Sequence, residues 1–192
     1  MNNIPILSLL IFFPAIGSFL ILLINKKDKF YGKKVKEIGL WTSLITFLIS
    51  LILFYYFDKT DSDFQFIENF KIISDLGIYY YLGIDGISIL FILLTTFLIP
   101  ICILSSWNRI EDHIDYYIIS FLMIEFFLLG LFSSLDLFIF YIFFEGSLIP
   151  LFFIIGIWGG SNRIYASYKF FLFTICGSLI MLIGILTLYF YS

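Results

Sequence analysis

Apolar residues run through this chain in long blocks separated by short polar clusters. Windows of about 20 residues, the length a helix needs to cross a hydrocarbon core, pick out six blocks at 4–24, 38–57, 87–105, 116–133, 136–157 and 168–190. Blocks this long and apolar predict helices, since in lipid only helices and closed barrels satisfy the backbone internally. The period-two alternation of a barrel strand is missing from them. Asn25 and the lysines after Ile24 end the first block. The link Ser133-Ser134-Leu135-Asp136 is short and places Ser and Asp to cap the next helix, so the fourth and fifth blocks form an antiparallel hairpin. Asp85, in Gly83-Ile84-Asp85-Gly86-Ile87-Ser88, begins the third helix in the same way. The one sizeable polar stretch, 58–86, carries Asp58, Asp61, Asp63, Glu68 and Asp75. Its β-prone alternation from Phe64 to Tyr81, broken by Asn69 and Gly77, predicts a β-hairpin lying on the outer surface. With no internal repeat and no low-complexity linker, the expected architecture is all-α: a polytopic transmembrane bundle of six helices forming one membrane domain over 1–192.

Composition narrows the class. The chain is 61% hydrophobic and 13% charged with mean hydropathy +1.07, whereas soluble domains run nearer half apolar and a quarter charged. A chain of 192 residues leaves too much surface exposed to hide that excess, so a water-soluble enzyme is excluded. A net charge of −3 gives no basis for a nucleic-acid partner. Cys102 and Cys176 lie inside apolar blocks, without a CxxC pattern or a disulfide framework. The single histidine, His113, removes most haem and zinc schemes. No glycine-rich dinucleotide fingerprint, P-loop or iron–sulfur cysteine cluster is present in the sequence. The chain is therefore expected to hold no redox cofactor, and any redox link to come through partners. Two alanines and one valine, against 26 Phe and 13 Tyr, form a skew that lipid does not demand and that an A+T-rich organellar genome would produce. The first residues lack an Arg- and Ser-rich transit pattern.

Basic residues are distributed unevenly. Loop 25–37 holds Lys26, Lys27, Lys29, Lys33, Lys34 and Lys36, and Arg109, Arg163 and Lys169 fall on the same side, against Lys59 and Lys71 opposite. The positive-inside rule then turns the lysine loop toward the matrix or cytoplasm and both termini toward the outer face.

Candidate chemistry rests on ionisable groups within the blocks, which are costly in hydrocarbon. Glu125 lies nine residues before Ser134 and Glu145 eleven after it. At 1.5 Å per residue both sit about 14–16 Å deep, near the centre of the bilayer core. At least one is expected to be neutral or matched to a cation, because desolvation and like charge both disfavour the ionised form. The alternatives are a protonated packing residue and a proton site whose charge changes in turnover. Pro150 removes an amide and clashes with the carbonyl of Gly146, loosening the helix just beyond Glu145. Gly146 and Ser147 are expected to leave room there for water or a side chain. Lys169 either snorkels to the interface or reaches inward as a counter-charge. Arg109 and Arg163 read as interfacial anchors, Trp107 and Trp158 as aromatic-belt residues, and His113, between Glu111, Asp112 and Asp115, as a solvated loop residue.

The run Phe140-Tyr141-Ile142-Phe143-Phe144-Glu145-Gly146-Ser147-Leu148-Ile149-Pro150, followed by Ile155-Gly156-Ile157-Trp158-Gly159-Gly160, resembles the fifth-helix signature of the antiporter-like chain 4 subunits in the membrane arm of respiratory complex I. Gly83-Ile84-Asp85-Gly86-Ile87-Ser88 and Tyr165-Ala166-Ser167-Tyr168-Lys169-Phe170-Phe171 add to the likeness, which is specific over 80–192 and confined to helix layout before that. The resemblance implies a proton-translocating subunit of NADH:ubiquinone oxidoreductase in the mitochondrial inner membrane, with NADH, FMN, iron–sulfur clusters and ubiquinone held by other subunits. Glu145 matches the family's fifth-helix proton-transfer glutamate, and Lys169 matches a sixth-helix lysine. The family does not clearly demand Glu125, which stands as a second candidate for proton transfer. The family subunit has fourteen helices and pairs its glutamate with a lysine on a broken seventh, so these six correspond to its N-terminal portion. The expectation is a split subunit, whose later helices reside in a second chain docked on helices four to six. A cation/proton antiporter subunit and a structural remnant of the pump are the alternatives.

Overall fold

The computed structural model describes residues 5–26, 30–61, 63–73, 78–110 and 112–191. Lys27, Lys29, Asp75, Gly77 and Glu111 lie outside them.

Each apolar block forms a helix: α1 (Ile6–Leu22), α2 (Tyr31–Tyr56), α3 (Ser88–Ser105), α4 (Ile114–Ser133), α5 (Leu137–Trp158) and α6 (Arg163–Tyr191). Among the described residues, α2 to α6 are long and apolar enough to cross a membrane, whereas α1 has 17 residues. Two helices start earlier than hydropathy predicts. Lys33, Lys34 and Lys36 lie in the first turns of α2 instead of a loop, and Arg163 opens α6 five residues ahead of the apolar block. Charge marks where the membrane ends; the helix, satisfying its own backbone, continues past that point.

The polar stretch folds as an antiparallel hairpin of β1 (Gln65–Ile73) and β2 (Ile78–Ile84). Asn69 does not interrupt it, since it pairs with Tyr81 inside the ladder. Its register shifts between Gln65 and Glu68, where Phe66 takes a φ of 54°, and again between Lys71 and Ile73. The hairpin closes one end of the bundle. Leu82 bridges Ser134, the Leu135 amide donates to the Tyr81 carbonyl at 2.8 Å, and a Cβ on Gly83 would stand 2.6 Å from the Leu135 side chain. Glu68 reaches from β1 to accept the Leu7 amide (2.8 Å), the Ser8 amide and the Ser8 hydroxyl. These amides belong to the first turn of α1, where donors otherwise lack partners.

α4 is the hub, packing on α1, α2, α3 and α5, while α6 packs chiefly on α5. Half of the apolar window of α4 is buried, against 6% for α6. The core separates into two apolar clusters. One, beneath the hairpin, joins Leu7, Leu10, Ile11, Leu53, Ile92, Leu129 and Phe143. The other, at the lysine-bearing end, joins Ile21, Val35, Ile99, Ile103, Ile118 and Leu122. Between them every one of α1 to α4 contributes buried polar side chains: Ser18; Thr42, Ser43, Thr46 and Ser50; Thr95 and Thr96; and Glu125.

At the lysine end Lys26 donates to Asp115 Oδ2 at 2.7 Å and the Tyr31 hydroxyl to the same oxygen at 3.0 Å, tying the connection after α1 and the start of α2 to the first turn of α4. The Asp115 carboxylate beside it holds the Lys26 ammonium above its ordinary range.

Candidate functional site

α5 carries Glu145 because the helix is long, uniformly apolar and firmly started. Asp136 caps it, its carboxylate accepting the Phe138 amide at 2.8 Å and the Ile139 amide at 3.1 Å, as the sequence predicts. Ser134 takes no part in the cap; its hydroxyl donates backward to the Leu131 carbonyl. At the far end the Arg163 guanidinium donates to the Ile157 carbonyl at 2.6 Å, satisfying a carbonyl the helix leaves open.

The α4–α5 contact is built from two reciprocal insertions. A Cβ on Gly130 would lie 2.3 Å from the Phe143 ring, and one on Gly146 would lie 2.2 Å from the Phe127 ring. Each helix thus seats a phenylalanine on the other's glycine. The space expected at Gly146 is therefore taken by an aromatic ring, and the Ser147 hydroxyl is already committed to the Phe144 carbonyl at 2.7 Å. α5 stays helical through Pro150, which lines an apolar groove of about 540 Å³ with Ser120, Met123, Phe127 and Phe153.

These contacts fix where the glutamates face. Glu145 stands on the α5 stripe that continues through Phe152 and Gly156, which touch Tyr168, Phe171 and Ser167 of α6. Continuing the antiparallel register two turns from the Phe152–Phe171 contact brings Glu145 level with Ser178, a buried α6 residue. Glu145 is half-buried, and its Oε2 is enclosed without a hydrogen-bond partner. Glu125 faces the other way. It shares an α4 stripe with Ile118, Leu122 and Leu129 toward α1–α3; it is fully buried, and neither carboxyl oxygen has a partner. The Gly130–Phe143 and Phe127–Gly146 contacts set Glu145 opposite Leu128, so the two acids differ in depth by three residues, about 4.5 Å. They lie within one helical turn of each other in depth, without sharing a site.

Lys169 lies in the second turn of α6, exposed, with its amine 5.8 Å from the Tyr165 ring centre. It is nine residues, about 13 Å of helix, from the level of Glu145. Among the described residues no salt bridge joins it to either glutamate. Trp158 donates to the Asp112 carbonyl at 3.3 Å and stacks edge-on against Tyr117, while the Trp107 carbonyl accepts from Lys36 at 2.6 Å. His113 precedes α4 in a left-handed conformation, φ 53°. Among the described residues, no three metal-ligating side chains gather. The buried hydroxyls near Glu125 escape a reading by single residues, because Ser and Thr are ordinary in membrane helices and only the packing shows that α1, α2 and α3 turn theirs into the same interior.

Residues 134–192, which include the Glu145 helix, match the family described as NADH:quinone oxidoreductase/Mrp antiporter, TM. The chain is 49% identical over 186 residues to NADH-ubiquinone oxidoreductase chain 4 of Arabidopsis thaliana, an alignment covering 96% of this chain and 37% of that protein. It is 43% identical over 185 residues to NADH-quinone oxidoreductase subunit M of Rhodobacter capsulatus, covering 96% of this chain and 36% of that protein. Its fold superposes on a chain of respiratory complex I from Thermus thermophilus with a TM-score of 0.77 and 31% identity, over 94% of this chain and 35% of that one. The chain thus spans little more than a third of the length of the relatives it matches, and the match runs through all six helices. It belongs to the chain 4 family of NADH–ubiquinone oxidoreductases, the antiporter-like membrane subunits.

Proposed function

We propose that this chain is one membrane domain of a proton-pumping subunit in NADH:ubiquinone oxidoreductase, and that Glu145 is its proton-transfer residue. The observation that carries the reading is the placement of Glu145: a carboxyl inside a membrane helix, one oxygen enclosed and unpartnered, turned toward α6 at the level of Ser178. Such an acid is costly unless its proton or a neighbouring cation balances it. An amine moving to within about 4–6 Å would favour the charged form, and its withdrawal the neutral one. That alternation is the elementary step of electrostatically gated proton transfer. Lys169, held at the lysine-end boundary, serves as an anchor and as a cation that later conformations bring nearer. Pro150 marks the weakened part of the helix.

The helices that complete the subunit dock on α6, whose outer face is bare. Other membrane-arm subunits surround it, and NADH, FMN, the iron–sulfur clusters and ubiquinone belong to partner chains. The chain is a multi-pass membrane protein. We place it in the mitochondrial inner membrane with the lysine end in the matrix and both termini in the intermembrane space, following the lysine and arginine asymmetry.

Glu145→Gln tests the assignment. The variant is expected to assemble, because the amide keeps the volume, and to lose most of the protons moved per electron in sealed membrane vesicles. Wild-type stoichiometry in an assembled Glu145→Gln enzyme overturns it. Purification of this chain in a complex lacking flavin and iron–sulfur subunits would instead favour the cation/proton antiporter reading that the family description also covers.

A further inference from the structure

The Glu145 reading uses one face of α5 and leaves the interior of α1–α4 without a task, yet that interior holds the most completely buried acid among the described residues. Glu125 has no exposed surface, and both its oxygens lack a partner. Gly39 of α2 lies against Ile118 of α4. Carrying these parallel helices two turns onward sets Thr46 opposite Glu125. Thr46 and Thr96 are fully buried, and Thr96 lies 2.8 Å from Ser50, also fully buried.

The hydrogen-bond bookkeeping of this layer is one-sided. The Ser18 hydroxyl donates to the Pro14 carbonyl, Thr42 to Ile38, Thr46 to Thr42, and Thr96 to Ile92. Each has spent its hydrogen on its own helix, so it presents only lone pairs to the interior. Ser50 has one hydrogen for the Phe47 carbonyl or for Thr96. Thr46, set opposite Glu125 by the register, therefore offers it an acceptor and no donor, and among the described residues no lysine or arginine is buried anywhere. An acid in such a setting is matched by a proton of its own and by a molecule that can both donate and accept. Buried polar groups left without protein partners are commonly satisfied by internal water. The hydroxyls from Thr46 to Ser50 and Thr96 extend along the bundle axis as a line, which suits a short row of waters better than the closed cage of oxygens a hard cation requires. An apolar cluster lies toward each end of the bundle from this line.

We propose that Glu125 is the centre of a second, internal hydration site, in which its carboxyl holds an exchangeable proton shared with bound water over Thr46, Ser50 and Thr96. This does not rest on the role of Glu145, and the two can fail separately. The experiment is infrared spectroscopy of the intact oxidoreductase, with a high-resolution density map of the same preparation. Ordered water within hydrogen-bond distance of the Glu125 carboxyl is expected, with a protonated-carboxyl band that shifts on transfer to heavy water and is lost in Glu125→Gln. Thr46→Val, which keeps the shape and removes one lone-pair partner, is expected to move that band without impairing assembly, and it serves where Glu125→Gln fails to assemble. A dry seam, a carboxyl band insensitive to heavy water, a band unmoved by Thr46→Val, or density for a coordinated cation in place of water would each overturn the proposal.

Discussion

Asp85 holds the first turn of α3, its carboxylate accepting the Ser88 amide at 2.7 Å. That amide holds the carboxyl below its ordinary value of 3.8. A folded-state value below the unfolded one adds stability that is fully present above the unfolded value and lost as the pH falls through the folded one. Asp85→Ala is expected to cost about 1 kcal/mol, as cap removal generally does. The gap between variant and native enzyme in thermal melts is expected to stay constant from neutral pH to about pH 5 and to close below that; a gap that widens on acidification contradicts the assignment. Both caps, Asp85 and Asp136, were legible in the sequence because a cap acts on amides two or three residues away. Glu68 was not. It reads as one more acid in a polar stretch, yet its partners Leu7 and Ser8 lie some sixty residues earlier in the chain. No local pattern encodes such a contact. Glu68→Ala is expected to release the first turn of α1, seen as faster amide exchange at Leu7 and Ser8 with α3 to α5 unchanged.

Helices follow from apolar length, and their partners follow from small residues. The long blocks announce six helices, and the short link at Ser133–Asp136 announces that α4 and α5 are antiparallel neighbours. What the blocks do not carry is rotation about each axis, because α5 is apolar all round and has no polar face to orient it. The two glycine–phenylalanine insertions supply the rotation, and with it the separation of Glu125 from Glu145 onto different faces. A depth common to within one helical turn was readable by counting residues from the turn; opposite facing was not. Gly146→Ala is expected to push the Phe127 ring off its seat and destabilise the assembled subunit by about 1–3 kcal/mol, the usual range for overpacking. Trimming the ring with Phe127→Leu in the same chain is expected to restore most of the loss. Equal and additive losses in the double variant would show that the two residues do not meet.

At the scale of the whole molecule the bundle is lopsided. α4 is enclosed by four helices, whereas α6 touches the rest chiefly through the face bearing Ser167, Phe171 and Ser178. Exposed apolar surface on α6 carries no message by itself, since lipid tails are as apolar as leucine and give helices no hydrophobic reason to associate. The informative feature is small residues on that bare side. Gly177 and Gly184, seven apart and so on one stripe, have open space where a Cβ would stand. A glycine facing lipid gains nothing, whereas one facing a helix lets two backbones approach closely. If the remaining helices of the subunit dock there, Gly177→Leu and Gly184→Leu are expected to leave these six helices folded, because each position has open space where a Cβ would stand. The same changes block the approach of the neighbouring helix. The expected result is a normal amount of this chain in the membrane with a several-fold loss of assembled oxidoreductase on native gels, greater for the double variant than for either alone. Substituting leucine for Phe173 or Ile180, large residues on the same bare side, is expected to have little effect. Full assembly of the Gly177→Leu/Gly184→Leu enzyme would mean that this stripe faces lipid and that the completing helices attach elsewhere on the bundle.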